Sequence, residues 1–382
     1  MYTRVYKASR RLKNGVRNDG DHTNPTLPEE IIESILVLLP LPSIARFRSV
    51  CKHWRAVLSS ALCSTRRTQI CNGYPQLLLH NLFNNTLFCF CFSARKWKII
   101  SLPPSSLPVD SFKGPTGGLT LLENSKSTTI LVCSPFMQNI FELPPMLSIS
   151  YMAAKFIVKG DEKKPYKVVA VGCNQTRTAN CIEIYDFSES SWRILGFIPG
   201  KIFSSQDLIY CNGLFFCKTS EPKGVEIYSM QDMRFISFVP LPLYFYSKSI
   251  LVACTSSVFM VEDVREKRNI TKDIIVWQLV QADSKPSFWK EIARMPSWLL
   301  DDFNKTSNVD LIRAWGWLNC VGAGDNIFLR RGSGSRNVLV YNLQEGDWNW
   351  LPQCSSGDGE NWFHMSAFVP GYNAEGTRSF LH

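Results

Sequence analysis

Long apolar runs are missing from this chain. Ile35 to Leu41, one of the longer, is broken by Pro40 and falls far short of the ~20 residues that cross a bilayer. Met1-Tyr2-Thr3-Arg4 leads into further basic residues rather than an apolar segment, so neither a secretion signal nor a membrane protein is expected. Histidine is scarce. Of the five, His22, His53 and His382 lie outside the large C-terminal part, leaving only His80 and His364 there, too few for a metal centre or an imidazole acid–base pair. No Gly-x-Ser-x-Gly elbow occurs, and Gly196-Phe-Ile-Pro-Gly200-Lys201-Ile202 is one residue short of a phosphate loop and lacks its Ser/Thr. Asp301-Asp302 and Glu262-Asp263 read as solvated acids in loops. No catalytic residue, cofactor or metal site is expected, and the chain is predicted not to be an enzyme.

Charge is also modest, at 19% of residues against 45% hydrophobic ones, which excludes a disordered chain and permits a sizeable core. The net charge of +10 is unevenly spread. Within residues 1–23, Arg4, Lys7, Arg10, Arg11, Lys13 and Arg17 stand against Asp19 and Asp21 in a segment of low apolar content. This is read as a basic disordered tail, with a nuclear-import or transit signal as alternatives. Elsewhere no dense Lys/Arg run occurs, so nucleic acid is not an expected partner. Thirteen cysteines, an odd number, fit reduced thiols in the nucleus or cytoplasm, and the Asn-x-Ser/Thr matches at Asn84, Asn174, Asn269 and Asn304 are then chance. Cys89-Phe90-Cys91 has no second pair behind it for zinc; on a strand both sulfurs share one face and read as buried.

Residues 24–64 form a helical unit. Thr26-Leu27-Pro28-Glu29 is a capping box with Pro in the first turn, and Pro40 and Pro42 predict that the helix ends near Leu39. Ile44, Phe47, Cys51, Trp54 and Leu58 then recur at helical spacing, with Arg46, Arg48, Lys52 and Arg55 on the other sides. From Ile31 to Leu41, eight of eleven residues are apolar. So small a unit cannot bury them all, and the surplus face must pack either on the chain's own C-terminal part or on a partner.

The same residues carry a resemblance. Leu27-Pro28-Glu29-Glu30-Ile31-Ile32, Ile35-Leu36, Leu39-Pro40 and Val50-Cys51-Lys52-His53-Trp54-Arg55 resemble the F-box, with its Leu-Pro opening and its Val-Cys-Lys-x-Trp close at the expected separation. The resemblance implies a three-helix motif that docks on the Skp1 adaptor and, through it, on cullin and RING subunits. It assigns Skp1 contact to Leu27, Pro28, Ile31, Ile32, Ile35, Leu36, Leu39, Leu41, Val50, Cys51 and Trp54, and makes the surplus apolar face intermolecular.

From about residue 70 to 372 the texture is that of short strands and polar turns. An apolar strand, a turn, an aromatic residue and a hydrophobic-Pro stop recur, with the aromatic at Trp97, Phe141, Trp192, Phe235, Trp289 and Trp348 and intervals of 44, 51, 43, 54 and 59 residues. That period predicts four-stranded propeller blades, about six of them, closing on themselves so that few strand edges are exposed. The repeat aromatics are expected between blades as core residues. The Arg330-Arg331-Gly332-Ser333-Gly334-Ser335-Arg336 stretch reads as a solvated hairpin tip, or as a loop whose arginines meet an acidic or phosphorylated partner.

This architecture resembles plant F-box/kelch-repeat proteins, in particular the group that includes the floral regulator Unusual Floral Organs, through Trp289-Lys-Glu-Ile-Ala-Arg-Met-Pro and the Cys320 to Pro352 stretch. It departs from kelch strands in holding a single Gly-Gly doublet, Gly117-Gly118. The fold expected is therefore multidomain α+β, a small three-helix F-box followed by an all-β kelch-type propeller. The resemblance implies a substrate receptor of an SCF ubiquitin ligase, whose propeller recruits a target protein that the sequence does not identify. The alternative is a propeller acting as a small-molecule sensor or enzyme whose turnover is controlled through the F-box.

Overall fold

The computed structural model describes residues 27–37, 39, 47, 49–58, 76–81, 86–92, 95–100, 111–116, 119–124, 129–134, 139–149, 151–159, 166–173, 180–187, 189–198, 208–220, 222–242, 247–266, 271–282, 285–306, 318–332, 335–354 and 363–368. The tail 1–23, Thr26 of the capping box, Leu41, Ile44 and the Gly117-Gly118 doublet lie outside them. Among the described residues of the N-terminal module stand two helices, α1 (Glu29–Val37) and α2 (Lys52–Leu58), and the third helix expected of it lies outside them. Helix α1 carries Glu29 and Glu30 in its first turn, where carboxylates suit the positive end of the helix dipole. It ends two residues before the expected Leu39, whose N–H closes one last turn onto the Leu36 carbonyl at 3.3 Å.

The remainder is six four-stranded antiparallel sheets. Blade 1 contains β1 (Gln76–Asn81), β2 (Thr86–Cys91) and β3 (Lys96–Ile100), and blade 2 β4 (Ser111–Thr116), β5 (Leu119–Asn124), β6 (Thr129–Ser134) and β7 (Asn139–Glu142). Blade 3 is β8 (Tyr151–Lys159), β9 (Tyr166–Cys173), β10 (Asn180–Asp186) and β11 (Ser191–Ile198), and blade 4 β12 (Leu208–Cys211), β13 (Leu214–Ser220), β14 (Lys223–Ser229) and β15 (Phe235–Pro240). Blade 5 is β16 (Ser247–Cys254), β17 (Ser257–Arg265), β18 (Thr271–Ala282) and β19 (Lys285–Arg294), and blade 6 β20 (Leu318–Ala323), β21 (Asn326–Arg331), β22 (Leu339–Asn342) and β23 (Asp347–Trp350). The last strand, β24 (Phe363–Phe368), pairs with β1 and completes blade 1. The first strand of each blade packs against that of the next, in the order β24, β4, β8, β12, β16, β20 and back to β24. The ring is a closed six-bladed propeller, latched by joining the chain's last described strand to its first.

Middle strands are buried on both faces because a neighbouring blade covers each. Strand β10 reads as one buried run from Asn180 to Tyr185, whereas in outer strand β11 only Trp192 and Ile198 are buried. Each core cluster therefore sits between blades. Val169, Val171, Ile182 and Ile184 of blade 3 meet Phe215, Cys217 and Tyr228 of blade 4. A helix that the repeat pattern does not predict, α3 (Ser297–Lys305), follows β19 and drives Leu299, Leu300 and Phe303 into the core shared by blades 5 and 6.

All six repeat aromatics fall on the outermost strand of their blade. Trp192 is buried, and Trp348 is half-buried and packed against the blade 5–6 core. Both stand opposite a tyrosine of the third strand, Trp192 on Tyr185 at 5.3 Å and Trp348 on Tyr341 at 4.7 Å. The structure also explains the hydrophobic-Pro stop. Leu143, Met295 and Leu351 each fold back so that the backbone N–H donates to the third strand, to Ile130, Ile274 and Val338, all at 2.9 Å. The proline that follows has no N–H and ends the ladder; the Pro144 and Pro352 carbonyls face the next blade, whereas that of Pro296 accepts the N–H groups of Leu299 and Leu300. Trp192 Nε1 donates to the Pro144 carbonyl of blade 2 at 2.7 Å, and Trp97 Nε1 to the Pro352 carbonyl of blade 6 at 2.6 Å. In blades 1 and 3 the aromatic and the neighbouring blade's proline are thus two halves of one contact, whereas Trp289 Nε1 meets no acceptor and Phe235, expected in the core, is 51% exposed.

Candidate functional site

Helix α1 has two unlike faces. Leu36 is buried with Val57 and Leu58 of α2, and Ile32, Leu39, Phe47 and Trp54 pack partly against them. On the other side Leu27, Ile31 and Ile35, spaced four apart, form one helical stripe at 56, 46 and 49% exposure, and Val50 ahead of α2 is 60% exposed. Pro28 accepts the N–H groups of Ile31 and Ile32 at 3.0 and 3.1 Å, so the Leu-Pro pair both starts the helix and presents its first apolar side chain. Cys51 precedes α2, where its sulfur accepts the Trp54 N–H at 3.3 Å and its carbonyl the Arg55 N–H at 3.1 Å. It acts as the helix cap.

The residues expected to meet an adaptor thus divide. Leu27, Pro28, Ile31, Ile35, Val50 and Cys51 are exposed; Ile32, Leu39 and Trp54 are half-buried; Leu36, 1% exposed, belongs to the motif's own core. Leu41 lies outside the described residues. Leu27, Ile31, Ile35 and Val50 are thus at least 46% exposed beside a core of three buried residues.

Two readings of the propeller need correction. Glu262 and Asp263 are not loop acids: they lie on β17, 1% and 0% exposed. Glu262 accepts the Trp277 indole N–H at 2.9 Å, and Asp263 accepts from Arg265 and Thr271. Nor are Arg330 and Arg331 at a solvated tip. Strand β21 runs through both, and they are 0% and 6% exposed on its opposite faces. Arg330 donates to the carbonyls of Ser335 and Phe363 and lies 5.8 Å from the Phe363 ring, tying blade 6 to the closing strand; burial lowers its pKa to about 9. Asp301 and Asp302 are exposed as expected, though on α3 rather than in a loop.

A buried acid that sequence reasoning did not single out, Glu183 on β10, is 0% exposed and accepts the N–H groups of Leu147, Ser148 and Ile149 at 2.7, 2.6 and 3.1 Å. It fixes the crossover from blade 2 to blade 3. Its only signal in the sequence was a carboxylate inside the apolar run Ile182-Glu-Ile-Tyr. Cys89 is buried as expected and Cys91 half-buried, and burial raises the Cys89 thiol to about 12. His80 and His364 stand opposite each other in the β1–β24 register. Among the described residues no group of three or more His, Cys, Asp or Glu could hold a metal ion, and no helix is long and apolar enough to cross a membrane.

Comparison with known proteins agrees with both modules. An F-box domain profile matches residues 25–63, and a profile described as KIB1-4 beta-propeller matches residues 90–342. The chain is 27% identical over 349 residues to F-box only protein 6 of Arabidopsis thaliana, covering 86% of this chain and 69% of that protein. It is 24% identical over 375 residues to Protein UNUSUAL FLORAL ORGANS of Arabidopsis thaliana, covering 87% and 80%. Among solved structures, that titled Nidogen/Laminin Complex covers 78% of this chain and 99% of its own at a TM-score of 0.45 and 9% identity. F-box proteins in general are receptors that bring substrates to SCF ligases without catalysing the transfer themselves. With its F-box at residues 25–63 and its six-bladed ring, this chain belongs to the KIB1-4 beta-propeller family of plant F-box proteins.

Proposed function

We propose that this chain is a substrate-recognition subunit of an SCF ubiquitin ligase. The exposed stripe of Leu27, Ile31 and Ile35 with Val50 docks on a Skp1-type adaptor, and the adaptor joins the chain to cullin and RING subunits. The propeller holds a target protein, so the chain supplies proximity to a ubiquitin-loaded enzyme bound elsewhere rather than chemistry of its own. The observation that carries this reading is the stripe: aliphatic side chains about half exposed on a helix whose opposite face is already packed. The complex would work in the nucleus or cytoplasm, where the cysteines stay reduced.

The test is reconstitution. The full chain with purified Skp1, cullin and RING subunits is expected to assemble, and to direct ubiquitin onto a protein first identified by proximity labelling in cells. Assembly with transfer only onto the chain itself would favour a sensor whose turnover is controlled through the F-box. Failure to bind Skp1 would overturn the proposal.

A further inference from the structure

Helix α3 has two unlike stripes. Leu299, Leu300 and Phe303 are buried in the core shared by blades 5 and 6, and the Phe303 ring lies 6.0 Å from that of Trp350. The first turn closes on the Pro296 carbonyl, which accepts the Leu299 and Leu300 N–H groups at 3.0 and 2.9 Å. Near the other end, Asn304 Nδ2 donates to the Thr271 carbonyl at 3.3 Å. The helix is pinned to the ring along its length. On its opposite stripe stand Trp298, Asp301, Asp302 and Lys305, at helical spacing and all exposed, so these side chains are neighbours on one surface. Trp298, at 66%, is the most exposed of the described tryptophans.

The buried stripe holds α3 in place, and Trp298 is not part of that core. A tryptophan left in water on a rigid element is the residue type that anchors protein interfaces, and its electron-rich ring face attracts cations. The charges beside it favour the same kind of partner. Lys305 Nζ engages Asp302 at 3.1 Å, whereas Asp301 forms no ion pair with a described residue. The stripe is therefore net negative on a chain whose net charge is +10. An aliphatic partner would leave Asp301 unmatched; a guanidinium or ammonium resting on the indole also reaches a carboxylate one turn along the helix.

We infer that the outer stripe of α3 docks a basic segment of a partner protein, with an arginine or lysine side chain laid on the Trp298 ring and paired with Asp301. The inference rests on the reading of the propeller as the holder of a target and names the chemistry by which that target is chosen. Because α3 lies on the crossover from outer strand β19 to inner strand β20, the contact is made at the end of the ring from which the blade-to-blade crossovers leave.

The full chain is titrated, with fluorescence anisotropy as the readout, with a labelled peptide of alternating arginine and glycine and with the same peptide carrying neutral citrulline in place of arginine. Saturable binding of the arginine peptide alone is expected, opposed rather than helped by the chain's overall positive charge. Trp298→Ala and Asp301→Asn should each weaken it about threefold or more, the scale of one cation–π or ion-pair contact at an exposed site. Both positions are exposed, so both variants should melt like the parent, and Asp301→Asn decides the matter if Trp298→Ala does not. No saturable binding of the arginine peptide, equal binding of the citrulline peptide, or undiminished binding by Asp301→Asn overturns the inference. So does a dimer of the parent chain in sedimentation that Trp298→Ala abolishes, which would give the stripe to a second copy. Skp1 binding is measured on the same preparations: its absence would count against the receptor reading, whereas intact Skp1 binding without peptide binding overturns the α3 site alone.

Discussion

Removing Trp192 tests how the blades hold one another. Its indole is 6% exposed, packs on Tyr185 in the core between blades 2 and 3, and donates to the Pro144 carbonyl across that interface at 2.7 Å. Trp192→Ala removes the packing and the hydrogen bond together. Core aromatic-to-alanine changes cost about 3–5 kcal/mol, against a net domain stability of about 5–15 kcal/mol. At roughly 2–4 °C per kcal/mol for domains somewhat smaller than this one, the melt should fall by roughly 6–20 °C. Trp192→Phe keeps most of the ring and loses the donor, which should cost about 1 kcal/mol. Trp289 supplies the control. It occupies the equivalent place in blade 5, but its Nε1 is buried without an acceptor, so Trp289→Phe loses no bond and should cost less than Trp192→Phe or even stabilise. Urea unfolding of the three variants, followed by far-UV circular dichroism and fluorescence, reads all of this. Equal costs for the two Trp→Phe changes, or a Trp192→Ala variant that unfolds like the parent, would refute the interlock.

Two further outcomes follow from the ring. A Cβ at Gly322 on β20 would lie 2.4 Å from both the Ala253 carbonyl oxygen and the Cys254 sulfur on β16, so Gly322→Ala should force the inner strands of blades 5 and 6 apart and cost about 1–3 kcal/mol by overpacking, visible as a lowered urea midpoint. The second concerns pH: burial raises the Cys89 and Cys354 thiols to about 12, whereas an unfolded thiol ionises near about 8.5. The unfolded state therefore loses protons first, and stability should be intact below about pH 8.5 and fall as pH rises toward 12, by roughly 1.4 kcal/mol per thiol per pH unit at most. Cys89→Ala should flatten that decline by about one proton, and an unchanged slope would contradict the burial of this thiol.

The sequence made the N-terminal motif and the blade count legible because both depend on local spacing. Leu27-Pro28 and Val50-Cys51-Lys52-His53-Trp54 keep fixed offsets along the chain, and the aromatic-to-proline rhythm recurs once per blade because each aromatic sits on the outermost strand of its blade. What was hidden depends on the partner of a strand rather than on the strand itself. Arg330-Arg331-Gly332-Ser333-Gly334 has the composition of a hairpin tip, yet β21 continues through both arginines and sends them into two different blade interfaces, one toward Phe363 and one toward Phe303. Glu262-Asp263 is alike: adjacent acids suggest solvent, but alternation gives each a separate buried donor, Trp277 for one and Arg265 with Thr271 for the other. Helix α3 escaped because its Leu299, Leu300 and Phe303 interrupt the repeat only once. In the F-box, apolar spacing identified a surplus face but could not divide it, and Leu36 went with the exposed residues until packing against Val57 and Leu58 separated it.

The central claim is that the exposed stripe of α1 docks the adaptor while the propeller folds independently of it. The most direct measurement is the affinity of purified Skp1 for the full chain and for its Leu27→Ala, Pro28→Ala double variant, with the thermal melt of each recorded in parallel. Loss of an interface anchor costs about 2 kcal/mol or more at a hot spot, so binding should weaken at least about thirtyfold while the propeller melts as in the parent. Undiminished Skp1 binding by the double variant would contradict the account.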